Sequence, residues 1–479
     1  MLLSKMFEGA PNLEIEGLCI DSRKAQKNYM FFCVEGLEND GHKFVDSAIK
    51  NGAIAIVHTK DISSEQPGIA YIKVADMNKM INDVSDLFFG QPSRKMTVFG
   101  ITGTNGKTST ANIIKDIMSS YKPCGYIGTI AISYGDVVKA PDLTTPDPIV
   151  IHSNLKDMVD HGMKAVAIEV SSHGLALGRV DTVDFDYGIF TNLTYDHLDF
   201  HKTMENYFEA KKLLFRNLKL GATAILNRDD ISYEELEKCC PAKYVSYGID
   251  NEADYRATNI VMTPDGTKFT LTFQGQDYIV TTNLVARYNV YNLMGAMAAV
   301  HQSGIPLDEI VLKVCRLSQI DGRMEKINEG QSFNLIVDYA HTPDGFEKVF
   351  EYGKAITPKG NSIVAVFGCA GKRDKAKRSV LGSIAGKYCD KVIVTEEDPR
   401  TEKADEIAEE IRSGITNTEN VYIPNRYQAI EEAINGAKKG DCILILGKGD
   451  EEYMYRQDGR EPWMGDHVAA RKAVHKLLG

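Results

Sequence analysis

The chain has 479 residues, enough for about three domains of ordinary size. Hydrophobic residues make up 43% and charged residues 25%, the balance of a globular protein with a sizeable core. The formal net charge of −11 argues against a general nucleic-acid binder, yet leaves room for a small anion held by a few local cations.

Taken in chain order, the opening "MLLSKMFEGAPNLEIEG" is too short and too charged for a signal peptide, and no apolar run reaches the ~18 residues of a membrane span. The nine cysteines are scattered, and none forms C-x-x-C. They read as reduced thiols, and a cytoplasmic protein without membrane contact is expected. Residues 1–90 hold the short strand-like pieces "YMFFCVEG" and "AIAIVHT" around a helix-like "HKFVDSAIKNGA". "GQPSRK" (Gly90 to Lys95), rich in breakers, reads as a linker. In residues 91–321, short apolar runs ("AVAIEV", "DYGIFTN", "ATAILN") alternate with helical patterns, which predicts an α/β domain with a mostly parallel sheet. "TKFTLTFQGQDYIVTTN" (Thr267 to Asn283) alternates with period two and reads as an inserted hairpin. In residues 322–479 the alternation restarts with "FNLIVDYA", "SIVAVFG", "DKVIVTEE" and "DCILILGKG", a second doubly wound, Rossmann-like unit.

The chemistry begins at "VFGITGTNGKTSTANII" (Val98 to Ile114). A strand, a glycine loop and a helix in that order suit a triphosphate. Backbone N–H groups wrap the phosphates, the helix N-terminus adds partial positive charge, and Lys107 and Thr108 serve phosphate and Mg²⁺. The spacing is unusual. G-x-x-x-x-G-K-[ST] wants its first glycine at position 101, which is Ile101, while glycine stands at 100 and 103. Downstream strands end in polar residues: Glu169, Ser171, Ser172 and His173, then Asn192, Asp196, His197, Asp199 and His201. Oxygen and imidazole groups beside a phosphate loop suit Mg²⁺ or Mn²⁺, although each residue alone could be a capping group or a satisfied loop polar.

These stretches, together with "LTTPD" (Leu143 to Asp147), "EVSSHGLALGRV" (Glu169 to Val180), "NLTYDHLDFH" (Asn192 to His201), "YFEAK" (Tyr207 to Lys211), "DGRME" (Asp321 to Glu325) and "DYAHTPD" (Asp338 to Asp344), resemble the Mur ligases. Within that family they resemble the UDP-N-acetylmuramoyl-tripeptide synthetases, the MurE type. The likeness runs in order over nearly the whole chain. In this family the loop reads G-x-x-G-T-N-G-K-[ST], so the odd spacing is normal.

The resemblance implies three domains: a uridine-nucleotide domain (1–90), a central ATP-binding domain (91–321) and a C-terminal Rossmann-like domain that holds the incoming amino acid (322–479). It implies a cytoplasmic, ATP-dependent ligase of peptidoglycan synthesis, expected to act as a monomer. The ligase would add a diamino acid to UDP-MurNAc-L-Ala-D-Glu through an acyl phosphate. By the family pattern Gly103, Thr104, Asn105, Gly106, Lys107, Thr108 and Ser109 bind ATP, with Asn292, Arg323, Asp338 and His341 across an interdomain cleft. Thr108 and Glu169 hold one Mg²⁺, and His197 helps hold a second. Lys211 is carbamylated by CO₂ (an N6-carboxylysine) and supports that second ion; on its pattern alone it would be an ordinary helix-surface lysine beside Lys212. The acceptor would meet Ser22, Leu37, Glu38 and Asn39 with its uridine end, and Thr144, Thr145, Ser171 and Arg179 with its peptide. Where relatives can carry a glutamine, this chain has Leu177. The amino acid would meet Arg373, then Glu397, Asp398, Pro399 and Arg400, then Gly447 and Glu451.

The last group departs from its pattern. Enzymes adding meso-diaminopimelate carry D-N-P-R, whose arginine pairs with the distal carboxylate. Here the stretch is Glu397-Asp398-Pro399-Arg400, and Asp450 stands where "GKGHE" has histidine. Extra negative charge suits the lone ammonium of lysine, and Asp398 could neutralise Arg400. A retained Arg400 favours meso-diaminopimelate, with lysine the close rival. A folylpolyglutamate synthase-like ligase and a non-catalytic nucleotide-binding relative are the alternatives. The "DSR…DGH" domain opposes the first, and intact Lys107, Thr108, Glu169, His197, Lys211 and Arg323 oppose the second.

Overall fold

The strand Thr97–Thr102 shows how the central sheet is built. Its residues alternate between faces, as β geometry requires. Phe99 and Ile101 enter one buried cluster with the helices Lys107–Ser119 and Arg287–Gln302. Val98 enters another with Leu155, Phe185 and Phe215. A strand covered on both faces is apolar throughout, which is why these segments read as unbroken runs.

The computed structural model describes residues 1–36, 39–263 and 265–479. The described residues form three large sheets and a two-stranded antiparallel ribbon, Tyr453–Arg456 with Gly459–Pro462. The first has four parallel strands in sequence order, Gly17–Cys19, Tyr29–Phe32, Ala53–His58 and Ala70–Lys73. The central sheet has eleven strands. Its middle is parallel, in the order Tyr255–Thr263, Lys243–Gly248, Thr223–Asn227, Tyr187–Phe190, Thr97–Thr102, Ala165–Glu169, Cys124–Ile127. The predicted hairpin forms as Gly266–Phe273 and Gln276–Thr282. It is not a separate insertion: it pairs antiparallel with Tyr255–Thr263 and extends the edge of the same sheet. The third sheet has six strands, parallel except for the short edge strand Glu325–Lys326.

The expected linker is more ordered than its breakers suggest. Pro92–Lys95 forms a 3₁₀ turn with Pro92 and Ser93 buried, and Ser93 Oγ accepts the backbone N–H of Asp184 at 3.2 Å. Proline fixes the turn's φ, and Gln91 before it takes the left-handed conformation. No described helix is long and apolar enough to cross a membrane.

Candidate functional site

The carboxyl ends of the central parallel strands converge on one place, where open α/β sheets build their sites. Thr97–Thr102 leads into the loop, and Gly106, with φ of 87°, starts the helix Lys107–Ser119. The two glycines before Gly106 have different tasks. Gly100 stays in the strand, where an added Cβ would meet Phe185 at 2.6 Å. Gly103 is the loop glycine: its φ is 148°, and an added Cβ would overlap Thr191 Oγ1. The spacing therefore reflects one packing glycine and one loop glycine.

The loop is held from the strand Tyr187–Phe190. Asn105 N–H donates to Asn192 Oδ1 (2.9 Å), and Asn192 Nδ2 donates back to the Asn105 carbonyl (3.1 Å). Thr104 N–H donates to the Asn192 carbonyl at 2.8 Å. Lys107 folds over the loop, with Nζ donating to the carbonyls of Gly103 (3.0 Å) and Thr104 (2.9 Å). Burial lowers its ammonium from the ordinary lysine value, while Glu169 and Asp196 oppose the shift. A triphosphate would supply the missing negative charge.

Glu169 ends its strand fully buried and accepts from four donors. Thr108 Oγ1 donates at 2.8 Å, Thr129 N–H at 2.9 Å and Thr129 Oγ1 at 3.2 Å, and Tyr126 Oη completes the set. Tyr126 and Thr129 escaped the sequence analysis because nothing in a strand and a turn marks them as partners of a residue some forty positions away. The Thr108–Glu169 pair of hydroxyl and carboxylate is a hard oxygen donor set that fits Mg²⁺. Among the described residues, no cluster of three or more His, Cys, Asp or Glu side chains could hold an ion unaided. That also suits Mg²⁺, which is usually held by one or two carboxylates plus substrate phosphate.

His197 sits in the left-handed conformation (φ 53°), its Nε2 3.3 Å from Asp196 Oδ2, with His173 4.9 Å away between ring centres. Burial drives its pKa down to about 3, so at neutral pH the imidazole is uncharged and has a lone pair to offer a cation. His201 is turned away and shares a hydrogen bond with Ser172 Oγ at 3.0 Å, and Asp199 faces Arg373 at 3.7 Å.

Lys211 is no surface lysine. It is 1% exposed, behind the loop, and its Nζ donates to the Gly103 carbonyl at 2.7 Å over the ring of Tyr207. It has no carboxylate partner among the salt bridges of the described residues. Burial, with Lys107 adding to it, lowers its pKa well below the ordinary value. Lys212 is buried too, but it pairs with Glu209 and Glu235. The adjacent lysines thus have opposite electrostatics.

The far wall comes from the third sheet and the helix Arg287–Gln302. Together with the loop they enclose a cleft of about 640 Å³ whose lining includes Thr104 to Ser109, Glu169, His197, Asn292, Arg323, Asp338 and His341. Asn292 lies against Gly106, where an added Cβ would stand 2.2 Å from its Oδ1. Asp338 accepts the backbone N–H groups of Met324 (2.7 Å) and Ala340 (2.8 Å). Arg323 packs 4.1 Å over the Tyr339 ring and pairs with Asp450 at 3.0 Å. His341 Nδ1–H donates to the Tyr339 carbonyl at 2.9 Å, and burial lowers its pKa to about 4. Asn105 Nδ2 reaches across to Asp344 at 2.9 Å.

Among the residues expected to meet the acceptor, Thr145 Oγ1 donates to the Glu169 carbonyl (2.8 Å) and accepts the Ser171 N–H (2.9 Å). Arg179 donates to the Thr145 carbonyl (2.9 Å), and Thr144 meets Thr129 (3.0 Å). These residues are one network with Glu169, and Thr144 and Ser171 line the cleft. Leu177 closes the short helix Ser172–Ala176. Ser22 is buried at the start of a 3₁₀ turn capped by Asp21, and Asn39 is exposed. Leu37 and Glu38 lie outside the described residues.

Apart from Arg373, the residues expected to meet the amino acid form a second polar cluster beside the cleft, joined to it through Tyr339, whose Oη donates to Glu451 at 3.1 Å. Asp398 does not neutralise Arg400. Its Oδ1 accepts from Lys448 Nζ (2.8 Å) and Tyr455 N–H (3.1 Å), and Lys448, fully buried, also donates to Glu451 (2.6 Å). Arg400 has φ of 55° and its guanidinium packs 5.0 Å over the Tyr455 ring. It has no ion pair among the described residues, and its Nε is buried without a partner. Gly447 leaves room for Glu397, whose buried carboxyl is pushed up to about 6 by desolvation and by Asp398. Pro399 packs its carbonyl against Gly371. Arg373 stands apart, half-exposed, facing Asp199 of the central region.

A glycine loop with lysine and threonine, an oxygen donor pair and an interdomain cleft together define an enzyme that uses a nucleoside triphosphate. The sequence carries three family matches: "Mur ligase family, catalytic domain" at residues 14–88, "Mur ligase middle domain" at 101–300 and "Mur ligase, glutamate ligase domain" at 322–449. It is similar to a UDP-N-acetylmuramoyl-L-alanyl-D-glutamate--2,6-diaminopimelate ligase of Clostridium acetobutylicum, 41% identical over 94% of this chain and 93% of that one. A protein of the same name from Bacillus velezensis is 40% identical over 97% and 95%. A solved structure of such a ligase superposes with a TM-score of 0.70 over 100% of this chain and 99% of its own, at 28% identity. The chain belongs to the Mur ligase family, whose members are ATP-dependent enzymes that form peptide bonds.

Proposed function

We propose that this enzyme joins meso-diaminopimelate to UDP-MurNAc-L-Ala-D-Glu, using ATP, in peptidoglycan precursor synthesis. The observation that carries the choice of amino acid is the unpaired guanidinium of Arg400. Lys448 already neutralises Asp398, so the aspartate in place of asparagine does not cancel the arginine. A guanidinium with no internal carboxylate is suited to a distal carboxylate, which lysine lacks. The curated relatives named as diaminopimelate ligases support the same choice and leave the folate-ligase alternative without support.

A carboxylate is a poor electrophile. The acceptor carboxylate therefore takes the γ-phosphoryl group first, with ADP leaving, and the amine then attacks the acyl carbon and expels phosphate. Lys107 offsets the repulsion between the two anions, and the far wall of the cleft keeps water from the acyl phosphate. Thr108, Glu169 and His197 would hold Mg²⁺, which when bound neutralises phosphate charge. Lys211, whose pKa burial depresses and which has no carboxylate paired with it among the described residues, would react with CO₂ as the free amine; a carbamate there would place an anion where an ammonium otherwise stands. Residues 1–90 take the uridine end, 91–321 the ATP and 322–479 the amino acid.

Mass spectrometry of the product, with UDP-MurNAc-L-Ala-D-Glu, ATP and a panel of diamino acids, tests the proposal. The expected preference is for meso-diaminopimelate. Arg400→Ala should lower kcat/KM for it by about 10- to 100-fold, the cost of a lost charge-assisted pair, and leave lysine nearly unaffected. A wild type that prefers lysine, with no change in Arg400→Ala, would overturn the assignment.

A further inference from the structure

The helix Met77–Phe88 of the first domain buries an asparagine against the central domain. Asn82 is 1% exposed, and its Nδ2 donates across the domain boundary to the Gly178 carbonyl at 2.6 Å and, within its own helix, to the Asn78 carbonyl at 2.8 Å. Thr182 Oγ1 returns the contact by donating to the Asn82 carbonyl at 3.3 Å, and it shares a hydrogen bond with Nε2 of the buried His152 at 3.0 Å. Gly178 has φ of 63°, and an added Cβ would meet Asp181 Oδ2 at 2.7 Å. The carbonyl that Asn82 holds belongs to the same planar peptide unit as the N–H of Arg179. That N–H donates to the Gly174 carbonyl at 2.8 Å, and the Arg179 guanidinium donates to the Thr145 carbonyl at 2.9 Å.

Glycine leaves the peptide plane that follows it free to turn. A plane held at both its oxygen and its N–H is not free, and it fixes where the Arg179 side chain leaves the backbone. Packing alone would be served by an apolar residue, as it is at Ile81 and Val84 on the same helix. We propose that Asn82 is a positioning residue for the acceptor peptide: it holds the Gly178–Arg179 plane, so aims the Arg179 guanidinium, and lets the first domain set the peptide grip of the central one. This rests on the acceptor proposed above, with Arg179 meeting its peptide.

The test is calorimetric titration of wild type, Asn82→Ala, Arg179→Ala and the double variant with UDP-MurNAc-L-Ala-D-Glu and with UDP-MurNAc, which lacks the peptide. Asn82→Ala is expected to weaken the peptide-bearing ligand about tenfold, the worth of one buried hydrogen bond, and to leave UDP-MurNAc unchanged. The double variant should bind no worse than Arg179→Ala alone, because residues that act through one another are not additive. In the ligation assay the KM for the acceptor should rise, with kcat and the KM for ATP unmoved. An equal loss with both ligands would mean that Asn82 only cements the domains and would overturn the inference. Additive losses, or no loss at all, would overturn it too. If Asn82→Ala does not fold, Asn82→Ser, which stays polar but is too short to reach Gly178, is read in the same way. Arg179→Ala binding the peptide-bearing ligand as wild type does would instead sink the acceptor reading itself.

Discussion

Lys107→Ala is expected to abolish ligation, lowering turnover by about 10³-fold, because it removes a fixed charge from a site where phosphoryl charge develops. The fold should survive. Among the described residues Lys107 Nζ is bonded only to the carbonyls of Gly103 and Thr104, and the loop keeps its other anchors, the paired bonds of Asn105 with Asn192 and the Thr104 contact. The melting temperature should therefore stay within about 2 °C of wild type, the shift that a kcal/mol or so produces in a chain of this size. Ligation assays beside a melting curve check both halves. Turnover near that of wild type would refute the role given to Lys107.

Lys211→Ala should lose about 100-fold or more in turnover, as removal of a supporting group at a metal site does. Short carboxylic acids such as acetate or formate should restore part of it, by placing a carboxylate where the carbamate would stand. Two observations give the test its meaning. Lys211 is buried and has no carboxylate partner among the salt bridges of the described residues, so deleting it removes an amine bonded to a carbonyl and not half of an ion pair. Lys212, one residue on, is paired with Glu209 and Glu235, so Lys212→Ala serves as the control that carboxylic acids should not rescue. An uncomplemented Lys211→Ala with full activity would rule out the modification as a requirement.

Much of this architecture is legible in the residues themselves. The apolar runs that end in Glu169, Phe190 and Asp338 are strands buried on both faces, and the polar residues after them fall at the carboxyl edge where the cleft forms. Lys107, Thr108, Glu169, Asn292 and Arg323 come together around that cleft as the motif order suggests. What stayed hidden depends on spatial neighbours. The burial of Lys211 cannot be read from an amphipathic helix whose two lysines stand side by side, since the sequence does not say which of them faces the loop. The partner of Asp398 lies fifty residues away, so its charge looked available when it was already taken. The Tyr126 and Thr129 contacts to Glu169 likewise exist only after folding.

Lys448 gives its single ammonium to two acids, Asp398 and Glu451. Such a shared proton-rich bridge makes the acids compete, so their charges are not independent properties of two positions. Changing Asp398 to asparagine would free the lysine to turn wholly toward Glu451, and on the roles proposed above the hold on a substrate ammonium would grow weaker as the repulsion on a substrate carboxylate eased. On that proposal, amino-acid preference is an epistatic trait. It would be rewired by moving Asp398, Lys448 and Glu451 as a set, and exchanging one residue at a time would pass through intermediates that hold neither end of the substrate well.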